Sequence, residues 1–357
     1  MIDINNILNT DPYCINTEDK HILLTSMLKE LTEYHSINCE AYNRILKAFS
    51  FDINKVESYY DIPFLPVRLF KLYDLLSIDK SDVMKTMMSS GTSSQIPSKI
   101  YLDKETSTNQ QKALVKIVSP FIGPKRLPMI IIDSPSVLKD RNSFSARGVG
   151  ILGFSIFASD KIYALNDDMS LNIKTIFEFL DKHKDKDILL FGFTFMIWKY
   201  FYRELLNHKL DLSKGILIHG GGWKKLIEES VSSTKFKQSL FDVCGLTKIH
   251  DYYGMVEQTG SIYMECEKGH LHASLFSDII IRRPIDFSIA DIGEEGIIEV
   301  VSILPKSYPG HSLLTEDKGI ILGEDTCSCG RLGKYFKITG RLQNAEIRGC
   351  SDTYESK

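Results

Sequence analysis

A surplus of basic residues is missing: 43 Lys and Arg face 46 Asp and Glu, a formal charge of −3. A nucleic-acid or membrane-surface role would need a local basic patch, and none stands out. No apolar run approaches the ~18 residues that a bilayer crossing takes, and Met1-Ile2-Asp3-Ile4-Asn5 lacks the basic start and apolar stretch of a signal peptide. Cysteine is sparse and odd in number, at 14, 39, 244, 266, 327, 329 and 350. That excludes a disulfide framework in a chain able to bury a large core, so reduced thiols and a cytoplasmic setting are expected. Internal repeats and low-complexity tracts are absent, and so is a G-x-x-x-x-G-K-S/T phosphate loop.

What is present is an ordinary globular composition: 357 residues, 43% hydrophobic and 25% charged, enough for about two domains or one large one. Between residues 20 and 49, Ile22, Leu23, Met27, Leu28, Leu31, Ile37, Tyr42, Ile45 and Leu46 recur at helical spacing, which predicts one or two amphipathic helices. Ile62-Pro-Phe-Leu-Pro66 predicts an extended crossing, because two prolines forbid a regular helix. Short apolar runs at 127–132, 188–191, 215–219, 278–281 and 296–301 alternate with helical patterns. This is the signature of an α/β protein with largely buried, mixed sheets. Asp181-Lys-His-Lys-Asp-Lys-Asp187 reads as a solvated helix end before a strand.

Three motifs carry chemistry. In Met88-Ser-Ser-Gly-Thr-Ser-Ser-Gln-Ile-Pro-Ser-Lys99, hydroxyls from Ser89 to Ser94 surround Gly91 ahead of a strand-like Ile100-Tyr-Leu102. Such a loop can wrap a polyphosphate with N–H and O–H donors, although similar clusters also serve as plain loops. Asp251-Tyr-Tyr-Gly-Met-Val-Glu-Gln-Thr-Gly260 places an aromatic, a glycine and a carboxylate within five residues. The aromatic can stack on a purine and Glu257 can hold Mg²⁺, or the segment is a strand-to-turn junction with a surface Glu. Leu314-Thr-Glu-Asp-Lys-Gly319 and Ile338-Thr-Gly-Arg341 supply a carboxylate and an arginine suited to ribose and phosphate, or to a surface ion pair.

The order of these motifs resembles that of the adenylate-forming superfamily, which includes the acyl-CoA synthetases and phenylacetate-CoA ligases. More narrowly, the chain resembles the long-chain acyl-protein synthetases, the ATP-using subunits of the fatty-acid reductase of luminous bacteria. The likeness extends through Pro63-Phe-Leu-Pro66, Ser94 where the wider superfamily has glycine, Phe144-Ser-Ala-Arg-Gly148 and Leu190-Phe-Gly-Phe-Thr-Phe195. It continues in His219-Gly-Gly-Gly-Trp-Lys-Lys225, Pro309-Gly-His-Ser-Leu-Leu314 and Glu346-Ile-Arg-Gly-Cys350.

The resemblance implies an α/β fold, the large domain of adenylate-forming enzymes: stacked α/β subdomains and a small β-rich subdomain after Glu257, over 1–340, with a tail at 341–357. It implies ATP and Mg²⁺ as cofactors, with Ser89, Ser90, Gly91, Thr92, Ser93 and Ser94 on the phosphates. Gly220, Gly221, Gly222, Tyr253 and Gly254 would border the nucleotide, Asp317 the ribose, and Arg341 ribose or phosphate. Arg147, Phe193, Thr194, Phe195 and His219 would lie near the carboxylic acid, and Glu257 would ligate Mg²⁺. The implied activity is ATP-dependent conversion of a long-chain fatty or other apolar acid to acyl-AMP, with an acyl reductase as partner and neither nucleic acid nor membrane insertion involved. A CoA ligase or carrier-protein loader, and a non-catalytic nucleotide-binding scaffold, are the rival readings.

The chain departs from the wider superfamily after Arg341, where it runs only sixteen residues further and the lid domain with its catalytic lysine is absent. Either Lys99, Lys224 or Lys225 replaces that charge, or the adenylation step is intrinsically slower. Without a lid to form a pantetheine channel an acceptor other than CoA is expected, and the resemblance implies Cys350, near the end of the sequence with Arg348 beside it to favour the thiolate; an incidental tail thiol is the other reading. Cys266, His272, Cys327 and Cys329 make a set suited to structural Zn²⁺, with His270 able to replace His272, and ordinary thiols as the other reading. Cys14, Cys39 and Cys244 are expected in the core.

Overall fold

The computed structural model describes residues 4–89, 97–138 and 146–342, leaving aside the side chains of Ala146, Lys224, Lys225 and Ile227. Fourteen strands occur among them: β1 (Leu65–Pro66), β2 (Lys85–Met88), β3 (Lys99–Leu102), β4 (Leu127–Ile132), β5 (Ala158–Tyr163), β6 (Ile188–Phe193) and β7 (Gly215–Gly220), then β8 (Lys248–Tyr253), β9 (Tyr263–Glu265), β10 (Leu271–His272), β11 (Ser277–Arg282), β12 (Gly296–Ser302), β13 (Ser312–Glu324) and β14 (Lys334–Arg341). The chain divides into two compact units, one built from Met1–Val118 with Gly254–Glu346, the other from Ser119–Tyr253. No helix among the described residues is long and apolar enough to cross a membrane.

In the unit of residues 119–253, strands β8-β7-β6-β4-β5 form a parallel sheet. Every residue of β6 and β7 is buried, as a parallel sheet covered on both faces demands, and the apolar runs seen in the sequence locate β4, β6 and β7 to within two residues. Ile130, Leu190 and Leu217 on the strands pack with Ile197, Phe201 and Leu240 on helices. One of these helices leaves β6 directly, runs from Thr194 to Leu205 and contains a π-helical stretch over Ile197–Tyr202.

The charged run at 181–187 follows the helix Ile173–Lys182 and is solvated as expected, with one correction. His183 is buried, since its imidazole Nε2 lies 2.9 Å from Asp160, which also pairs with Lys182 at 2.8 Å. Hydrogen bonds from Lys182 and His183 pull the Asp160 carboxyl down to about 2.

The other unit begins with a short helix, Ile4–Asn9, followed by Thr17–Asn38 and Glu40–Ala48, the pair that the spacing indicated. Asn16 caps the first of that pair by accepting the Asp19 N–H at 2.8 Å. Its sheet runs β11-β12-β13-β14-β10-β9, antiparallel throughout, with β1 added parallel to β13. Strands β2 and β3 form a separate hairpin in which Met88 faces Lys99.

The core of this unit is unusually polar. Asp278 is buried between Lys20 at 3.1 Å and Lys334 at 3.0 Å, and Tyr59 donates its hydroxyl to the same carboxylate. Lys334 further donates to Tyr60 Oη at 2.9 Å and to the Ile279 carbonyl at 3.1 Å. Burial opposes ionisation of Asp278, but the two ammonium groups outweigh it and hold the carboxyl well below the usual range.

Cys39 and Cys244 are buried as expected. Cys14 is not: it sits exposed in the turn ahead of the first long helix, its thiol donating to the Asp11 carbonyl at 3.2 Å.

Candidate functional site

Within the unit of residues 119–253, the residues singled out for substrate and nucleotide gather at the carboxyl ends of the parallel strands. Phe193 closes β6, Gly220 closes β7 and Tyr253 closes β8. This is the end of an α/β sheet at which ligands bind, since helices start and loops open there. Thr194 follows Phe193 and lies 3.0 Å from His219 Nδ1 and 3.3 Å from the Gly220 carbonyl, which accepts its hydroxyl. With that proton committed to the carbonyl, His219 Nδ1–H is the donor to Thr194 and Nε2 carries the lone pair. Burial, then the charges of Lys237 and His250, push the His219 imidazole down to about 3, so it is neutral. Its Nε2 is buried without a hydrogen-bond partner.

Gly220 is required sterically. A Cβ there would lie 2.6 Å from the Tyr252 ring, which belongs to an aromatic group with Phe154 and Phe191. Gly221 and Gly222 are exposed, and Phe195 is half-buried. Arg147 is buried with Nε 2.9 Å from Asp133, one residue past β4, and Nη1 3.4 Å from the Met196 sulfur. Asp133 had no sequence signal beyond a carboxylate after an apolar run.

In the other unit, the hydroxyl-rich segment is the connection of the β2–β3 hairpin. Ser89 closes its base twice: its N–H donates to the Ser98 carbonyl at 3.0 Å, and its hydroxyl accepts the Ser98 N–H at 2.8 Å. Lys99 follows at the start of β3 and is exposed. Ser90, Gly91, Thr92, Ser93, Ser94 and Cys350 lie outside the described residues, as do the side chains of Lys224 and Lys225.

Gly254 is exposed, but Glu257 is fully buried at 0% exposure, which removes the surface-Glu reading. The turn Val256–Gln258 that carries it is pinned from both sides. Tyr308 donates to the Glu257 carbonyl at 2.9 Å, and the Gln258 amide donates to the carbonyls of Val300 and Gly310 at 3.0 and 2.9 Å. The Pro309-Gly motif thus positions the Tyr-Gly-x-x-Glu motif, a link invisible in their spacing.

Asp317 and Arg341 are register partners across β13 and β14, with Arg341 Nε 3.0 Å from Asp317 Oδ1. Glu316 takes the other edge of the guanidinium at 3.0 Å and also pairs with Arg68. The Asp317 and Arg341 segments, read together in the sequence with an ion pair as one reading, do pair, and Glu316 is an unanticipated addition to the cluster.

Cys266, His272, Cys327 and Cys329 come together, with their ligand atoms all within 4.8 Å of one another. Cys266 Sγ lies 3.9 Å from Cys327 Sγ, and Cys329 Sγ lies 3.3 Å from His272 Nε2. His270 stands outside this set, its Nδ1 3.3 Å from Cys327 Sγ. Burial, then Arg331 and His270, depress the His272 imidazole to about 4, which leaves it in the neutral form that ligates metals.

A family model described as acyl-protein synthetase, LuxE, matches residues 2–357. Among curated proteins, the long-chain-fatty-acid–luciferin-component ligase of Vibrio harveyi is 23% identical over 348 residues, covering 94% of this chain and 88% of the relative. The ligase of the same name from Aliivibrio fischeri is 22% identical over 361 residues, covering 97% and 91%. Among solved structures, 2-hydroxyisobutyryl-CoA ligase in an open conformation with 2-HIB-AMP and CoA superposes with a TM-score of 0.74 at 15% identity, over 94% of this chain and 78% of that one. The same ligase in its postadenylation state with 2-HIB-AMP gives 0.73, over 93% and 70%. These likenesses place the fold among the adenylate-forming enzymes.

Proposed function

We infer the reaction from membership: the chain belongs to the acyl-protein synthetase family, matched from residue 2 to residue 357, and is a ligase that activates acyl groups. The acid is a long-chain fatty acid or another apolar carboxylic acid, in keeping with the names of the two bacterial relatives. One carboxylate oxygen attacks the α-phosphorus of ATP, the bond to the β-phosphate breaks, and pyrophosphate leaves with the electron pair. The Cys350 thiolate then attacks the carbonyl carbon of the acyl-AMP. A C–S bond forms, the C–O bond to AMP breaks, and the thiol proton passes to solvent. The thioester is handed on to an acyl reductase.

The first step needs no general base, so this chain's residues work by positioning and by charge. Ser90, Gly91, Thr92, Ser93 and Ser94 hold phosphates from a loop whose base Ser89 and Ser98 close. Lys99, an exposed cation beside that loop, supplies positive charge to the phosphates. Gly220, Gly221, Gly222, Tyr253 and Gly254 border the adenine. Arg147, Phe193, Thr194, Phe195 and His219 form the acid's surroundings, with His219 as a neutral polar group among apolar side chains. Glu257 offers a hard carboxylate oxygen, the donor type that Mg²⁺ takes, and Mg²⁺ when bound neutralises phosphate charge.

The observation that supports the reading is the meeting of Asp317 with Arg341 at 3.0 Å, with Glu316 on the other edge of the guanidinium; to this carboxylate and cation we assign the ribose and phosphate. The test is intact-mass spectrometry of wild type and Cys350→Ser after incubation with Mg-ATP and a panel of fatty acids without CoA, beside acid-dependent ATP–pyrophosphate exchange. A hydroxylamine-labile acyl adduct on wild type alone, with exchange retained in Cys350→Ser and lowered in Thr92→Val, is the expected result. Exchange without any adduct moves the acceptor to CoA or a carrier protein. No exchange with any acid removes the adenylation step.

A further inference from the structure

The four ligand atoms of Cys266, His272, Cys327 and Cys329 come from two turns built alike. Cys266-Glu-Lys-Gly269 and Cys327-Ser-Cys-Gly330 each begin with a cysteine and end three residues later with a glycine. In each, the glycine N–H donates to the carbonyl of that cysteine, at 2.9 Å in the first turn and 3.0 Å in the second. Both glycines are left-handed, at φ +78° and +82°, which a side chain would resist. Such a turn leaves its inner N–H groups facing the leading sulfur: the Lys268 N–H donates to Cys266 Sγ at 3.4 Å. Two equivalent turns, each presenting a sulfur lined by backbone donors, are a scaffold for thiolates.

We propose that these two turns are the jaws of a closed structural Zn²⁺ site with Cys266, Cys327, Cys329 and His272 Nε2 as its ligands. A tetrahedral ion with Zn–S of about 2.3 Å and Zn–N of about 2.1 Å sets ligand atoms roughly 3.6–3.8 Å apart. One sulfur–sulfur distance, 3.9 Å, and one sulfur–nitrogen distance, 3.3 Å, bracket that spacing, and all four ligand atoms lie within 4.8 Å of one another. Three sulfurs and an imidazole select Zn²⁺ over Mg²⁺ or Ca²⁺, and four protein ligands leave no open position for substrate. The site is structural for that reason. Binding displaces three thiol protons to solvent and leaves the complex at a net charge of −1, beside the Arg331 guanidinium that pairs with Glu267 at 2.7 Å.

The fold has a use for the ion. Strand β10 is two residues long and β9 three, and β10 meets β14 through only Leu271↔Phe336 and His272↔Tyr335. So short a ladder is a weak attachment. Zn²⁺ ties the β9–β10 turn to the β13–β14 turn and makes that attachment a coordination bond. The inference rests on these residues alone and is independent of the reaction proposed above.

The experiment uses the full chain, purified under reducing conditions without added metal. Elemental analysis is expected to find about one zinc per chain, and Co²⁺ exchanged into wild type to give the intense visible bands of a tetrahedral site with thiolate charge transfer in the near ultraviolet. Cys329→Ser and His272→Asn are expected to lose the metal, and His270→Asn to keep it. Wild type that binds no zinc when reduced and supplied with Zn²⁺, or a weak octahedral cobalt spectrum, would overturn the site. A Cys266–Cys327 disulfide in freshly purified protein would do the same. Loss in His270→Asn with retention in His272→Asn would overturn the ligand assignment.

Discussion

The interiors of the two units differ in how much buried charge they carry: the 119–253 unit holds the Arg147–Asp133 pair, the other a larger network. Residues 119–253 bury a continuous apolar layer: Ile130, Leu190 and Leu217 are each at 0% exposure on adjacent parallel strands. The unit of Met1–Val118 and Gly254–Glu346 also buries apolar residues, Leu28, Ile279, Ile298 and Leu313 among them, but adds a charge network, with Asp278 between Lys20 and Lys334, and a neutral His35 stacked on His311 at 4.9 Å. An apolar core gains from area removed from water and tolerates imperfection gradually. A buried charge network is stable only while complete, because each remaining charge is left uncompensated when its partner goes. The polar unit should therefore fail abruptly where the apolar one yields in proportion.

Asp278→Ala is the sharpest way to break that contrast. It strands two buried ammonium groups and should cost about 3–5 kcal/mol, read by urea unfolding together with amide exchange in β11 and β14. A cost under about 1 kcal/mol would mean that the network is bypassed by water. Leu190→Ala in the apolar unit should cost about 2–5 kcal/mol by cavity formation, without exposing a charge. Trp198 and Trp223, the two tryptophans of the chain, both lie in that unit, so their emission follows the second variant rather than the first.

The smallest effect concerns pH. Burial holds the His219 imidazole neutral down to about 3, so between the unfolded value near 6.5 and that point the unfolded chain binds a proton that the folded chain refuses. Stability is thus fully present above pH ~6.5 and falls as the pH drops, by up to ~1.4 kcal/mol per pH unit for this one group. His219→Asn should flatten the slope of tryptophan-detected stability between pH 6.5 and 4 by that amount. An unchanged slope would show that the folded imidazole protonates in the same range as the free one.

The same contrast explains what could be read in the sequence. Parallel strands buried on both faces are written as uninterrupted apolar runs, so β4, β6 and β7 were legible almost to the residue. The motifs around Asp317 and Arg341 were legible as types in order, but their register pairing across β13 and β14 was not. Nothing near Lys20 announces Asp278, which lies 258 positions away, and the buried Lys20 falls in a helix that also carries exposed charges such as Glu18, Asp19, Glu30 and Glu33, so its type does not set it apart. Spacing marked the cysteines of the metal set, while the matching turns that aim them depend on two glycine conformations. Cys14 and His183 were misread for one reason: a residue type has an average environment, but its burial is decided by which neighbours arrive from elsewhere in the chain.

The polar unit is discontinuous in the chain, its two parts flanking residues 119–253. On the ribosome this becomes a matter of timing. Lys20 and Tyr59 emerge more than two hundred residues before the Asp278 that they enclose, whereas the described part of the apolar unit, Ser119–Tyr253, is contiguous and made as soon as β8 has cleared the exit tunnel. The last-made strands, β9 to β14, therefore complete the first-begun unit, and a chain interrupted near residue 260 would carry a finished apolar unit beside helices still waiting for their sheet.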